Sequence, residues 1–197
     1  MIDLSKISNN EPNNVFVKYY EKALNAGQKV IEGISISTFN KEKNEVDSRF
    51  VNLKYIIKNE WIFFSNYNSV KAADIDTHKQ ISAVFYWQAI NIQIRIKGII
   101  SKTSAEFSDE HFFLRAKEKN ALAISSDQSS TAESYSSILD NYQKALKLDN
   151  PQRPTYWGGY SFEPYYFEFW EGHESRLNKR KVYEKSDDSW KHLILQP

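Results

Sequence analysis

Asn91-Ile92-Gln93-Ile94-Arg95-Ile96-Lys97-Gly98-Ile99-Ile100-Ser101-Lys102 sets Ile92, Ile94 and Ile96 in alternation with Gln93, Arg95 and Lys97. Successive side chains of a strand point to opposite faces, so this two-residue period predicts a half-buried strand. Gly98 within it predicts a bulge or a close backbone approach. Working toward the amino terminus, β-rich runs recur over Gly33–Phe39, Val46–Ile57, Trp61–Ser65 and Ile81–Trp87. The polar turn Asn40–Asn44 joins the first two, and Ser69–His78 reads as a short helix capped by Ser69. Before them, Val15, Phe16, Tyr19, Tyr20, Ala23 and Leu24 repeat at helical spacing, with Pro12 ahead and Gly27 as a stop.

Toward the carboxyl terminus the character changes twice. Ser108–Lys117 opens with Ser, Asp and Glu, as a helix start does. The serine-rich Ser125–Ser137 follows, and in it Ser130-Thr131-Ala132-Glu133 has the capping-box pattern ahead of a helix predicted to run to about Leu148. Asn150-Pro151 and Arg153-Pro154 end that helix. Strands return at Trp157–Phe162, Tyr165–Glu171, Arg180–Glu184 and Trp190–Leu195, the last two joined at Asp187-Asp188. Strands joined by short turns with few long crossovers favour an antiparallel barrel over a doubly wound parallel sheet. The expected fold is mainly β with flanking helices, a single domain over 1–197. Its parts are an N-terminal helix (1–28), barrel strands (29–104), a helical excursion (105–150) and C-terminal strands (155–197).

Composition narrows the function. Lys+Arg number 26 against 25 Asp+Glu, so no net charge draws the chain to nucleic acid or membrane. The absence of cysteine excludes disulfides, thiol nucleophiles and cysteine-ligated metals, and fits a reducing compartment. Met1-Ile2-Asp3-Leu4-Ser5-Lys6 lacks the apolar core of a signal peptide, and no apolar run could span a bilayer, so a soluble cytoplasmic protein is expected. Twelve Phe, twelve Tyr and five Trp suit a flat-ring ligand or a broad subunit interface.

His78, His111, His173 and His192 have no metal-ligand spacing, so no metal site is expected and surface or structural roles are assigned to them. No Gly-rich phosphate loop of the strand–helix type is present. Arg49 and Lys54, five apart on one strand, point to opposite faces and cannot readily share one ion. Lys71, in the first turn of the helix after Ser69, is disfavoured by the helix dipole unless an anion binds there. Trp157-Gly158-Gly159-Tyr160, Trp170 and the arginines of Arg176-Leu177-Asn178-Lys179-Arg180 offer flat faces and guanidinium forks, suited to a ligand with one aromatic and one anionic part.

Ser48-Arg49-Phe50-Val51-Asn52-Leu53-Lys54, Phe63-Phe64-Ser65-Asn66-Tyr67-Asn68-Ser69-Val70-Lys71, Val84-Phe85-Tyr86-Trp87, Gln93-Ile94-Arg95-Ile96-Lys97-Gly98, Ser126-Asp127-Gln128-Ser129, Trp157-Gly158-Gly159-Tyr160, Glu168-Phe169-Trp170-Glu171-Gly172 and Arg176 to Arg180 follow one another in an order that resembles the pyridoxamine 5'-phosphate oxidase family. The resemblance covers most of the chain. It implies a split antiparallel β-barrel homodimer with flavin mononucleotide (FMN) at the subunit interface. It further implies oxidation of pyridoxine or pyridoxamine 5'-phosphate by hydride transfer to the flavin, with O2 reoxidising it. By the same resemblance the strand Arg49, Phe50, Val51, Asn52, Leu53 and Lys54, together with Lys71, holds the flavin phosphate, with Gln128 and Ser129 nearby. Phe64, Ser65 and Gln93 match flavin contacts, and Trp170 and Arg180 match residues reaching the flavin from the partner subunit. Lys54, Arg115 and Arg176 match substrate-gripping positions, Lys54 and Arg115 at its phosphate. Arg176 and Asn178 fall at the catalytic positions.

The sequence departs from that pattern at Val70, where a second basic residue is usual, and at His111, which replaces a substrate-side tyrosine. It departs again at Lys119, which replaces a serine, and at Asn178, which replaces a histidine and cannot carry charge or shuttle a proton. Lys119 has a charge suited to replacing a lost phosphate contact. The implied function is vitamin-phosphate oxidation. Its alternatives are a related FMN oxidase acting on another ring, as phenazine-pathway members do, or a flavin-binding protein without turnover.

Overall fold

The computed structural model describes all 197 residues. The chain runs α1 (Glu11–Asn25), β1 (Gly33–Asn40), β2 (Glu45–Ile57), β3 (Glu60–Asn66), α2 (Val70–Thr77), β4 (Gln80–Trp87) and β5 (Ile92–Lys102). It continues through α3 (Ala105–Leu114), α4 (Lys117–Ser125), α5 (Tyr135–Leu146), β6 (Trp157–Glu171), β7 (Lys179–Ser186) and β8 (Ser189–Leu195). All strand pairs are antiparallel, in the order β3-β2-β1-β4-β5-β6-β7-β8. A further β3–β6 pairing, Trp61 opposite Phe162 through Asn66 opposite Trp157, closes six strands into the expected barrel. β7 and β8 extend from β6 as a hairpin outside the closure. No helix is long and apolar enough to cross a membrane.

The period-2 pattern decides which face turns inward. Ile34 and Ile36 of β1 and Ile92, Ile94, Ile96 and Ile100 of β5 are buried, while Arg95 and Lys97 face out. Aromatic side chains fill the interior: Phe16 of α1 packs edge-on against Trp61, with ring centroids 4.6 Å apart, and lies 5.8 Å from Phe85 and 5.6 Å from Trp87. Burying a ring of this size stabilises by about 2–3 kcal/mol before edge-to-face attraction is added. α1 is held in place at its start, where Asn10 Oδ1 accepts from the Asn13 amide at 3.1 Å and Pro12 occupies the first turn.

β6 corrects the expectation of two strands, being one strand of fifteen residues. Its first half pairs with β3 and its second half with β7, along the same edge in succession. Pro164 sits between the two pairings, so on that edge its missing amide hydrogen forfeits no ladder bond. Opposite it the register shifts between Lys97 and Gly98, the predicted bulge. A Cβ on Gly98 would lie 2.9 Å from the Glu163 carbonyl oxygen, so the close approach requires glycine.

Two helix starts and one cap differ from expectation. α3 begins at Ala105, because Ser104 Oγ accepts from the Phe107 amide at 3.1 Å, and it breaks at Arg115 before α4 starts. The capping box lies four residues past the expected one: Ser134 Oγ accepts from the Ser137 amide, and Ser137 Oγ from the Ser134 amide. Ser69 does occupy the N-cap of α2, yet its hydroxyl donates to the Asn66 carbonyl at 2.8 Å and does not cap.

Candidate active site

A cavity of about 300 Å3 opens where β2, β3, the start of α2, the α3–α4 junction and the first residue of β6 meet. All of its charged lining is cationic. At one end Lys71 is only 8% exposed and donates to Ser69 Oγ at 2.9 Å and Gln128 Oε1 at 2.7 Å, both neutral acceptors. Burial first, and the nearby Arg49 charge second, push its pKa down to about 8, against the pull of Asp74. Ser65 Oγ donates to the same Gln128 oxygen at 3.2 Å, so Gln128 joins β3 to α2.

At the other end stand Lys54, Arg115 and Lys119. Arg115 lies over the Trp157 ring at 4.3 Å, donates through Nη2 to the Lys119 carbonyl at 3.1 Å, and buries Nη1 with no partner. Burial and the charges of Lys119 and Arg115 lower the Lys54 pKa, Glu32 opposing. A buried donor without acceptor among three cations is a site for an anion. Between the two ends runs an aromatic stack. The His111 ring lies 3.7 Å from Phe64 at 16°, and Phe64 lies 5.3 Å from Trp157 at 16°. His111 is therefore buried in the wall of the cavity, so of the roles expected for it the surface one does not hold. Burial, then Arg115, Lys54 and Lys119, lower its pKa to about 4, so its ring is neutral at pH 7.

The remaining predicted residues fall in three places. Phe50, Val51 and Asn52 line the cavity on β2, whereas Leu53 points into the core. Arg49 is on the other face: Nη1 donates to Thr38 Oγ1 at 2.5 Å and Nη2 lies 3.6 Å from the buried Asp74. Arg49 thus supplies charge beside Lys71 while a carboxylate already holds it. Ser129 and Val70 line a neighbouring cleft beyond Gln128, and Lys119 lies away from Val70, next to Lys54 and Arg115. Gln93, Trp170 and Arg180 form a row across β5, β6 and β7, apart from the cavity. Arg180 Nε donates to Glu168 Oε1 at 2.8 Å, and Arg95 and Tyr166 donate to Glu168 Oε2 at 2.7 and 3.0 Å. Arg176, with φ 60°, and Asn178, whose Oδ1 accepts from the His173 amide at 3.0 Å, stand in the loop before β7. One chain does not bring these last five to the cavity.

A relative from Leptospira biflexa named pyridoxine/pyridoxamine 5'-phosphate oxidase is 33% identical over 190 residues, covering 95% of this chain and 89% of its own. The chain belongs to the pyridoxine/pyridoxamine 5'-phosphate oxidase family. Residues 157–197 match the family described as the pyridoxine 5'-phosphate oxidase C-terminal dimerisation region. Among solved structures of similar fold, PhzG from Burkholderia lata in complex with tetrahydrophenazine-1-carboxylic acid has a TM-score of 0.90 at 25% identity, covering 95% of this chain and 93% of its own. A pyridoxamine 5'-phosphate oxidase-related, FMN-binding protein from Nostoc punctiforme has the same fold, with a TM-score of 0.78 at 12% identity, covering 96% and 99%. In this family member the dimerisation-region match spans the row carrying Trp170 and Arg180 and the loop carrying Arg176 and Asn178.

Sequence reasoning missed Tyr55, Asp74 and Glu168. Tyr55 hydrogen-bonds His111, Asp74 anchors Arg49, and Glu168 orients Arg180. For Glu168 a signal existed in part, a lone carboxylate within an aromatic strand; it lies on the face opposite Phe167 and Phe169, across from Arg95, and is buried there. Buried carboxylates need cationic partners.

Proposed function

We propose that this chain is an FMN-dependent oxidase converting pyridoxine or pyridoxamine 5'-phosphate to pyridoxal 5'-phosphate, with O2 as electron acceptor. The observation that carries this reading is the two-ended cavity, with uncompensated cations at each end and a flat aromatic wall between. Two phosphates and two flat rings, one set on cofactor and one on substrate, match that arrangement. Lys71, backed by Arg49 and steadied by Gln128, holds the FMN phosphate, and Ser65 and Phe64 flank the ring system. Lys54, Arg115 and Lys119 hold the substrate phosphate, with the unpartnered Arg115 Nη1 completed by it. Bound FMN supplies the redox chemistry, accepting a hydride from the carbon being oxidised and passing electrons to oxygen. The protein fixes both rings and shields them from water.

Trp170, Arg180, Gln93, Arg176 and Asn178 act on this cavity in a homodimer, where a second copy carries its dimerisation-region strands across to it. Arg176 grips the substrate, and Asn178 offers a hydrogen bond without a titrating proton. Purified protein mixed with FMN and pyridoxine 5'-phosphate under air should yield pyridoxal 5'-phosphate and peroxide in equal amounts. A yellow, flavin-loaded protein that yields neither would sink the reading. The neutral His111 and Asn178 favour a second reading, an FMN oxidase of another anionic ring substrate. Flavin bleaching by members of a cyclic-substrate panel, but not by the vitamin phosphates, would select it.

A further inference from the structure

Tyr55 lies on β2 one residue past Lys54, and its hydroxyl is 2.8 Å from His111 Nδ1. Its ring stands edge-on to both His111 and Phe64, at centroid distances of 5.3 and 6.2 Å, while His111 lies flat on Phe64. The imidazole is thereby fixed on one face by β3 and at one nitrogen by β2. A phenol half-buried among aromatic rings keeps its proton, since that burial raises the Tyr55 pKa. The charged groups around His111 are Lys54 on β2, Arg115 at the end of α3 and Lys119 on α4. All three are cations, so nothing near the ring favours the imidazolium. A protonated phenol facing a neutral imidazole can donate to Nδ1, and the ring proton then resides on Nε2. No group of this chain binds Nε2, and His111 lines the cavity beside the three cations.

We infer that Tyr55 is a positioning residue that locks His111 in its Nε2–H tautomer, making it a neutral hydrogen-bond donor to the anionic group held by Lys54, Arg115 and Lys119. This rests on the proposed function for the identity of that group as the substrate's phosphate. A neutral donor adds a direction-specific contact where three charges already attract the anion, without raising their mutual repulsion. Tyr55 itself touches no substrate. Losing the lock lets the ring place its proton on Nδ1, which leaves Nε2 as an acceptor facing an anion.

The test begins with the FMN-loaded protein labelled with 15N-histidine. At pH 7 the His111 signals should show Nε2 protonated and Nδ1 bare, before and after inorganic phosphate is added. A ring protonated at Nδ1, or at both nitrogens, overturns the inference whether or not the protein turns anything over. In kinetics, Tyr55→Phe should raise the KM for pyridoxine 5'-phosphate about tenfold, the worth of one hydrogen bond to an anion, and change kcat less than twofold. FMN affinity should be unchanged, which excludes a merely misfolded variant. His111→Gln keeps a donor near the Nε2 position without needing a lock, so adding Tyr55→Phe to it should cost less than twofold in KM. An equal loss from Tyr55→Phe in both backgrounds overturns the inference. If the wild type lacks turnover, the proposed function fails alone, and the labelled spectrum still decides the tautomer.

Discussion

Replacing Glu168 by glutamine tests the polar cluster behind the β6–β7 row. The carboxylate is 1% exposed and receives hydrogen bonds from Arg180, Arg95 and Tyr166 at 2.8, 2.7 and 3.0 Å. Glutamine keeps the shape and one acceptor oxygen, but it brings an NH2 group against guanidinium donors and removes the charge. Breaking a fully buried pair in this way costs about 3–5 kcal/mol, because the remaining ion is left uncompensated. Here the side chains of Arg95 and Arg180 are 39% and 25% exposed, so water takes over part of their solvation. The expected loss is therefore smaller, about 2 kcal/mol, or roughly 4–8 °C in Tm for a chain of this size. The pH dependence follows from the carboxyl pKa. Burial pushes it up, but hydrogen bonds from Arg180 and Tyr166 and the charge of Arg95 outweigh burial and hold it below the ordinary 4.5. A depressed carboxyl contributes stability that is present above the unfolded value and lost as pH falls through the folded one. Urea unfolding of wild type and Glu168→Gln should thus show the full gap at pH 7 and a shrinking gap below about pH 4.5. A gap under about 0.5 kcal/mol at pH 7, or one that persists unchanged into acid, would refute the reasoning.

Lys71→Met should lower FMN affinity about a hundredfold, by loss of a buried ammonium from an anion site, as read by flavin fluorescence titration. Without flavin the same variant should be no less stable than wild type near pH 7. The wild-type lysine, with its pKa pushed down to about 8, is charged there at a penalty that is relieved only as pH rises from 8 toward 10.5. Gly98→Ala should destabilise by about 1–3 kcal/mol in denaturant melts, since the added methyl meets the Glu163 carbonyl 2.9 Å away and neither backbone can withdraw without opening the bulge. Phe16→Ala should cost about 3–5 kcal/mol, because it empties the space between Trp61, Phe85 and Trp87; a loss under about 1 kcal/mol would mean that α1 does not seal the core.

The strands were legible because Ile92, Ile94 and Ile96, like Ile34 and Ile36, report burial through a period that only the pleat produces. The barrel closure was expected only as a class. Which strand pairs with β3 is decided across the whole helical excursion, and no local pattern encodes it. The continuity of β6 was hidden because Pro164 ordinarily ends a strand; it is tolerated here in the short gap between two partner strands. At the site, Lys54 stood out through its place on a strand with Arg49, Arg115 through the family resemblance, and Lys71 through its mismatch with a helix dipole. What stayed hidden was pairing. Asp74 restraining Arg49, Tyr55 facing His111 and Glu168 bridging two arginines all join residues from separate elements, and each choice of partner is made by tertiary packing.

The seam between β3 and β6 joins Trp61 to Phe162, about a hundred residues apart in sequence. During synthesis the first five strands and their helices emerge with β3 and β5 as open edges, and only β6 covers both. Until it arrives, the aromatic interior around Trp61 and Phe63 has an unfinished wall, and each edge is a template for another chain. Chains cut before Trp157 should therefore associate with one another, because the whole excursion must be made before closure is possible. The time the ribosome takes over residues 103–156 sets how long that nascent half-barrel must be kept apart from its neighbours.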